Sequence, residues 1–242
     1  MHSVLCTLLA PTLAPEYIVD SSELRSGAQT PVPKRHFSTR AATAPGRNAD
    51  KYRRILDAAI EVIAQHGYAS SRVTDIASRA RVADGTIYLY FHNKEELLME
   101  AINTSFAGFL TRARADLHHL HDPRERLRRM AFLHLSMLGG NRNLAIVFQT
   151  ELRHSAKFLA QFSTKHLIDY FQLIRHEIRE GQRLGLFRPD LSDKVAANCF
   201  FGALDEMVTS WVLSEHDYPL GGAADAVVDV ILKGLENQAS GS

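Results

Sequence analysis

The stretch that decides the fold is Arg72-Val73-Thr74-Asp75-Ile76-Ala77-Ser78-Arg79-Ala80-Arg81-Val82-Ala83-Asp84-Gly85-Thr86-Ile87-Tyr88-Leu89-Tyr90-Phe91-His92-Asn93-Lys94-Glu95-Glu96-Leu97. Ile76, Ala77, Val82, Ile87 and Phe91 fall at the inward positions of two short helices, Val73–Ala80 and Asp84–Phe91, joined by the turn Arg81-Val82-Ala83. That is the pattern of a helix-turn-helix. Ser71 stands where it can cap the first helix. Asn93, with Glu96 three residues later, opens a long helix that reaches about Leu117.

The second helix of such a motif enters the major groove, so its outward side chains should be small, hydroxylated or aromatic rather than acidic. Gly85, Thr86, Tyr88 and Tyr90 meet that requirement. Gly85 lets the backbone approach a phosphate, and Thr86 can bond to phosphate or touch a thymine methyl. The two phenols can each bond to phosphate. Lys94 adds a cation at a helix N-terminus, where backbone N–H groups also point outward. Arg47–Lys94 holds eight cations against five anions, a modest excess that favours DNA.

The segments Arg72–Ala77, Val82–Phe91 and Asn93–Leu97 resemble the DNA-binding domain of the TetR family of bacterial repressors. The resemblance runs from about Lys51 to Leu235, 185 residues. It implies a dimer with an N-terminal three-helix reader and a C-terminal bundle that holds a small molecule. The DNA-contacting set is then Arg72, Thr74, Gly85, Thr86, Tyr88, Tyr90 and Lys94. Arg81 departs from the family, which usually has Gly there. A left-handed Arg costs roughly 1 kcal/mol, so a slightly different turn is expected; the alternative is a phosphate contact that offsets the cost.

Val82–Lys94, Gln149–Arg153 and Phe201–Val212 look like the TetR-type repressors of fatty-acid degradation, which bind long-chain acyl-CoA and then leave DNA. This likeness implies an apolar tunnel for the acyl chain, with Arg or Lys at its mouth for the CoA phosphates and Arg153 as the candidate.

Outside these segments the chain reads as all-α. Tyr52, Ile55, Leu56, Ala59, Ile60 and Ile63 make one apolar helical stripe, stopped by Gly67. Asp122, Pro123 and Glu125 start a helix that runs to Gly139–Gly140. Further helices are expected over about Asn141–His154 and Ala156–Leu184, from Pro189–Asp190 with Ser192 as candidate cap to about Glu215, and over Ala223–Asn237. Residues 1–48 carry five of the eight prolines and no sustained period, which predicts an unstructured tail. The apolar Met1–Ala10 lacks a basic flank, which argues against a secretory signal; a start codon assigned too far upstream accounts for it as well. Residues 49–93 form the reader and 94–238 the ligand-binding and dimerisation domain.

Val195–Leu213 is apolar nearly all round, and in a chain of 242 residues a second copy is the simplest cover for it. Pairing with the Ala223–Leu235 helix across a two-fold axis predicts a homodimer and a palindromic operator. Aromatic residues interleaved with cations suit a ligand with an apolar body and an anionic head. The candidate ligand set is Phe109, Phe132, Phe148, Arg153, Phe171 and Phe201.

Net charge is +1, so any affinity for a polyanion comes from uneven placement. Two unrelated cysteines, Cys6 and Cys199, point to a reducing, cytoplasmic setting. No apolar run reaches the ~18 residues of a membrane span, and no cofactor is expected. Motifs for phosphate cradling, serine hydrolysis or zinc proteolysis are absent, and Asp205–Glu206 diverge by about 100° on a helix, so no enzyme is expected. Two alternatives carry weight: a TetR-type efflux-pump regulator sensing hydrophobic drugs, and a metal sensor built on His118, His119 and His121.

Overall fold

A computed structural model describes residues 47–152, 155, 158, 162, 166–216 and 218–236. The tail expected over 1–48 lies outside these residues except for Arg47 and Asn48, which are helical. Among the described residues the regular structure is helical, apart from one isolated bridge between Phe187 and Glu236.

Helix α1 (Arg47–Ser70) buries Ile55, Ala59 and Ile63 along the expected stripe. Gly67 breaks its regularity with φ 73° and ψ 157°, a backbone state open in practice only to glycine. Helix α2 (Val73–Ala80) has the expected bounds, but Arg72 occupies its cap, with its N–H donating to Asp75 Oδ2 at 3.3 Å. Ser71, expected there, turns inward, and its hydroxyl donates at 2.7 Å to the Gly67 carbonyl, which also accepts from the Ser71 N–H at 3.2 Å.

The turn also corrects the sequence reading. Arg81 is left-handed (φ 56°, ψ 50°), so the turn keeps the geometry that normally selects glycine. Its N–H donates to Ser78 O at 3.1 Å and that of Val82 to Ala77 O at 3.0 Å. This bond pair is a Schellman closure, and it requires the left-handed residue whatever its side chain. Helix α3 (Asp84–Tyr88) is shorter than expected, because Tyr90 and Phe91 both donate to Ile87 O and tighten the end into a turn.

Helix α4 (Lys94–Leu117) is capped by Asn93 as anticipated, with Glu96 N–H donating to its side chain at 2.8 Å. The Glu96 carboxylate accepts from His92 N–H at 2.7 Å. Asp122 caps α5 (Pro123–Gly139). The helix expected to continue to His154 instead comprises α6 (Arg142–Val147) and a wider π-turn, Phe148–Leu152. Of the long helix expected from Ala156, the described part is α7 (Ile168–Arg183).

Ser192 caps α8 (Asp193–Leu213), and a 3-10 turn leads into α9 (Ala224–Leu235). Helix α8 packs Ala196, Phe200, Leu204, Val208 and Trp211 inward, while Val195 and Leu213 remain exposed, as does Val230 of α9. Arg142 closes the end of α8, donating to the carbonyls of Val212 (3.0 Å) and Ser214 (2.9 Å) with its guanidinium over the Trp211 ring. Among the described residues no helix is long and apolar enough to cross a membrane.

Candidate functional site

Ile87 and Phe91 are buried and fix α3 on its outer side. Gly85, Tyr88 and Leu89 then face outward, Tyr88 at 57% exposure. A Cβ built on Gly85 meets nothing within 4 Å, and its φ is not positive. Nothing within the fold therefore selects glycine there, although glycine in a helix is destabilising. Thr86 is half-buried, and Arg72 and Thr74 stand exposed at the start of α2. Tyr90 turns back onto α1: its ring meets Tyr52 edge-on at 5.7 Å, and its hydroxyl donates to Asn48 Oδ1.

Lys94 also differs from a free cation. Its ammonium donates to the carbonyls of Tyr68 and of Ser71, the latter at 2.7 Å, and lies 4.4 Å from the Tyr68 ring centre. It thus satisfies carbonyls left over at the end of α1, tying α1 to the start of α4.

Tyr68 is the junction of reader and bundle, and nothing in the sequence pattern singled it out. Beyond Lys94, its N–H donates to Glu151 Oε1 at 3.1 Å, and its ring meets Phe158 edge-on at 5.0 Å. Glu151 reaches it from the π-turn. The same turn buries Gln149, whose amide donates to Asp205 Oδ1 at 2.9 Å and accepts from the Thr209 hydroxyl at 3.2 Å. The two C-terminal segments of the sequence resemblance therefore meet in space.

Behind the junction lies a continuous aromatic cluster. Phe106 of α4 packs on Phe109 (5.3 Å), Phe148 (6.2 Å), Phe162 (5.0 Å) and Tyr170 (6.0 Å). Phe201 meets Phe171 at 5.1 Å and Tyr170 at 6.1 Å. Of the candidate ligand residues, Phe109, Phe148, Phe171 and Phe201 are brought together. Phe132 stands apart at 42% exposure beneath the Arg129 guanidinium, and Arg153 lies outside the described residues.

His134 sits inside the cluster, with Nδ1 3.0 Å from the Tyr170 hydroxyl. Burial pushes its pKa down to about 4 and pushes the Tyr170 phenol well up. Its place on the α5 stripe with Leu127, Met130, Ala131 and Leu138 was the signal that it points inward.

The cations expected around the ligand are mostly engaged elsewhere. Arg114 pairs with Asp169 at 3.3 Å, Arg128 with Asp229, and Arg175 with Asp193 at 2.9 Å. Asp205 is half-buried against Gln149, whereas Glu206 is exposed beside Ser210, so the two carboxylates do not converge. His118, His119 and His121 are all exposed, and among the described residues no group of three or more His, Cys, Asp or Glu could hold a metal ion.

The chain is similar in sequence and fold to known proteins. Residues 55–101 match the bacterial regulatory proteins of the tetR family, and residues 102–234 match the C-terminal region of YsiA-like proteins. The fatty acid metabolism regulator protein of Bacillus subtilis (strain 168) is 38% identical over 188 residues, which is 78% of this chain and 97% of that protein. The fatty acid degradation regulator FadR from Bacillus halodurans superposes with a TM-score of 0.71 at 38% identity, covering 76% of this chain and 100% of that one. FadR from Bacillus subtilis, solved in complex with stearoyl-CoA, gives the same TM-score, identity and coverage. This chain belongs to the tetR family of bacterial regulatory proteins.

Proposed function

We propose that this protein is a cytoplasmic, homodimeric repressor that binds a palindromic operator and is released from it by a long-chain acyl-CoA, so controlling fatty-acid degradation. The observation that carries this reading is the 38% identity, over 76% of this chain and the whole of the other, to a regulator solved with stearoyl-CoA. Residues 49–93 act as the reader and 94–238 as the effector and dimer domain. The protein works by binding and performs no chemistry on its ligand.

At the DNA, Gly85 admits a phosphate close to the backbone, and Thr86 and Tyr88 bond to the groove edge. Arg72 and Thr74 fix the register from α2. Tyr90 and Lys94 serve mainly to hold α3 and α4 in place, since their polar ends already bond to Asn48 and to the end of α1. The exposed Val195, Leu213 and Val230 belong to the surface of α8 and α9 that the second subunit covers. The two readers then stand roughly 34–36 Å apart, one turn of B-DNA.

The acyl chain enters among Phe109, Phe148, Phe171 and Phe201. Moving a two-state equilibrium from 1:99 to 99:1 requires about 5.5 kcal/mol of differential affinity. At roughly 0.8 kcal/mol per CH₂, a long chain can supply that. A chain that parts Phe148 from Phe106 displaces the π-turn, and Glu151 and Phe158 carry the shift to Tyr68 and so to Lys94 and the reader.

Native mass spectrometry of the purified dimer with acyl-CoA of graded chain length tests the reading. Retention of one acyl-CoA per subunit, rising with chain length, is expected; absence of any bound acyl-CoA contradicts it.

A further inference from the structure

His134 and Tyr170 are an anomaly in the aromatic cluster. Both are buried, they pack among aromatic rings, and their polar atoms lie 3.0 Å apart. Phe109 packs on both (6.2 Å to His134, 5.2 Å to Tyr170), and Phe201 does so from α8 (5.8 Å and 6.1 Å). With the imidazole pushed down to about 4 and the phenol pushed up, both are neutral near pH 7.

A neutral imidazole carries one N–H and a phenol one O–H. Their mutual bond consumes one of these two polar hydrogens, whichever tautomer is present. The other has no acceptor among the described residues. His134 keeps 4% exposure, so the hydrogen left over stays within reach of a ligand that enters the cluster, where two apolar rings of the same size would offer no donor.

We propose that the His134–Tyr170 dyad donates this remaining hydrogen bond to the thioester carbonyl oxygen of the bound effector. The inference rests on the acyl-CoA reading above and adds where in the cluster the acyl group is read. An unsubstituted acyl chain has only one acceptor, its carbonyl oxygen, so a single donor in an apolar cluster is matched to it. Because the dyad is uncharged, it suits a thioester better than a carboxylate, whose charge it cannot balance. The dyad thus separates the activated acyl group from the free acid.

The test compares stearoyl-CoA with S-octadecyl-CoA, a thioether of equal chain length without the carbonyl, by calorimetric titration of the intact dimer. The wild-type protein is expected to bind the thioester about tenfold more tightly. The double variant His134→Phe/Tyr170→Phe, checked for folding by its retained operator binding, is expected to bind the two equally. A second measurement needs no variant: the infrared carbonyl band of carbonyl-labelled stearoyl-CoA should lie lower in the complex than in hydrocarbon solvent. Equal wild-type affinities, an unshifted band, or an undiminished preference in a folded double variant each overturn the inference and leave the acyl-CoA reading standing. Failure of both compounds to bind removes that reading and this inference together.

Discussion

Gly85 and Arg81 break opposite rules within one short motif. Gly85 occupies a helix where an added Cβ meets nothing, and Arg81 occupies a left-handed turn where glycine would fit best. Gly85→Ala should therefore stabilise the free protein by about 0.5–1 kcal/mol in chemical denaturation while weakening operator binding, because the added methyl stands between backbone and phosphate. A variant that loses both stability and affinity would contradict this. Arg81→Gly should raise the melting temperature by about 2–4 °C, the response of a domain this size to a relief of ~1 kcal/mol; a lowered melting temperature would count against the strain.

His134 gives a pH signature at the same scale. The unfolded chain takes up a proton near pH 6.5, whereas in the folded state the imidazole stays neutral down to about 4. Between those values the unfolded state binds more protons, so stability falls as pH falls, by at most about 1.4 kcal/mol per pH unit. The buried Glu177 carboxyl, raised by desolvation, acts in the opposite sense. Thermal melts from pH 7 to pH 4.5 should show a steeper loss for the wild type than for His134→Phe, and parallel curves would rule out the buried neutral imidazole.

At the scale of the element, the π-turn Phe148–Leu152 joins the aromatic cluster to the reader. Glu151→Gln keeps the size of the side chain but weakens its bond to the Tyr68 N–H, since a neutral acceptor replaces a charged one. The variant should bind operator and stearoyl-CoA separately with near wild-type affinity. The ratio of operator affinities without and with stearoyl-CoA should shrink several-fold, and an unchanged ratio would show that the coupling runs elsewhere. The bounds of α2 and α4 and the caps at Asn93, Asp122 and Ser192 were legible in the sequence because they depend on neighbours along the chain. The π-turn was not, since it is tied to Gln149 meeting Asp205 and Thr209 across 56 and 60 residues. The same holds for Lys94: its residue type suggested a free cation, but the kink at Gly67 presents the carbonyls that occupy it.

For the whole molecule, the proposed working unit is two subunits that meet over the exposed Val195, Leu213 and Val230 of α8 and α9. Only a dimer sets two readers on one face of a duplex, and only a change shared by both can release them together. The most direct measurement is the fluorescence anisotropy of a labelled operator, selected from genomic fragments by the protein itself, titrated with stearoyl-CoA at fixed dimer concentration. Anisotropy should fall to that of free DNA with a saturable midpoint, while a short-chain acyl-CoA at the same concentration leaves it high. A complex that stays intact at saturating stearoyl-CoA would contradict the account.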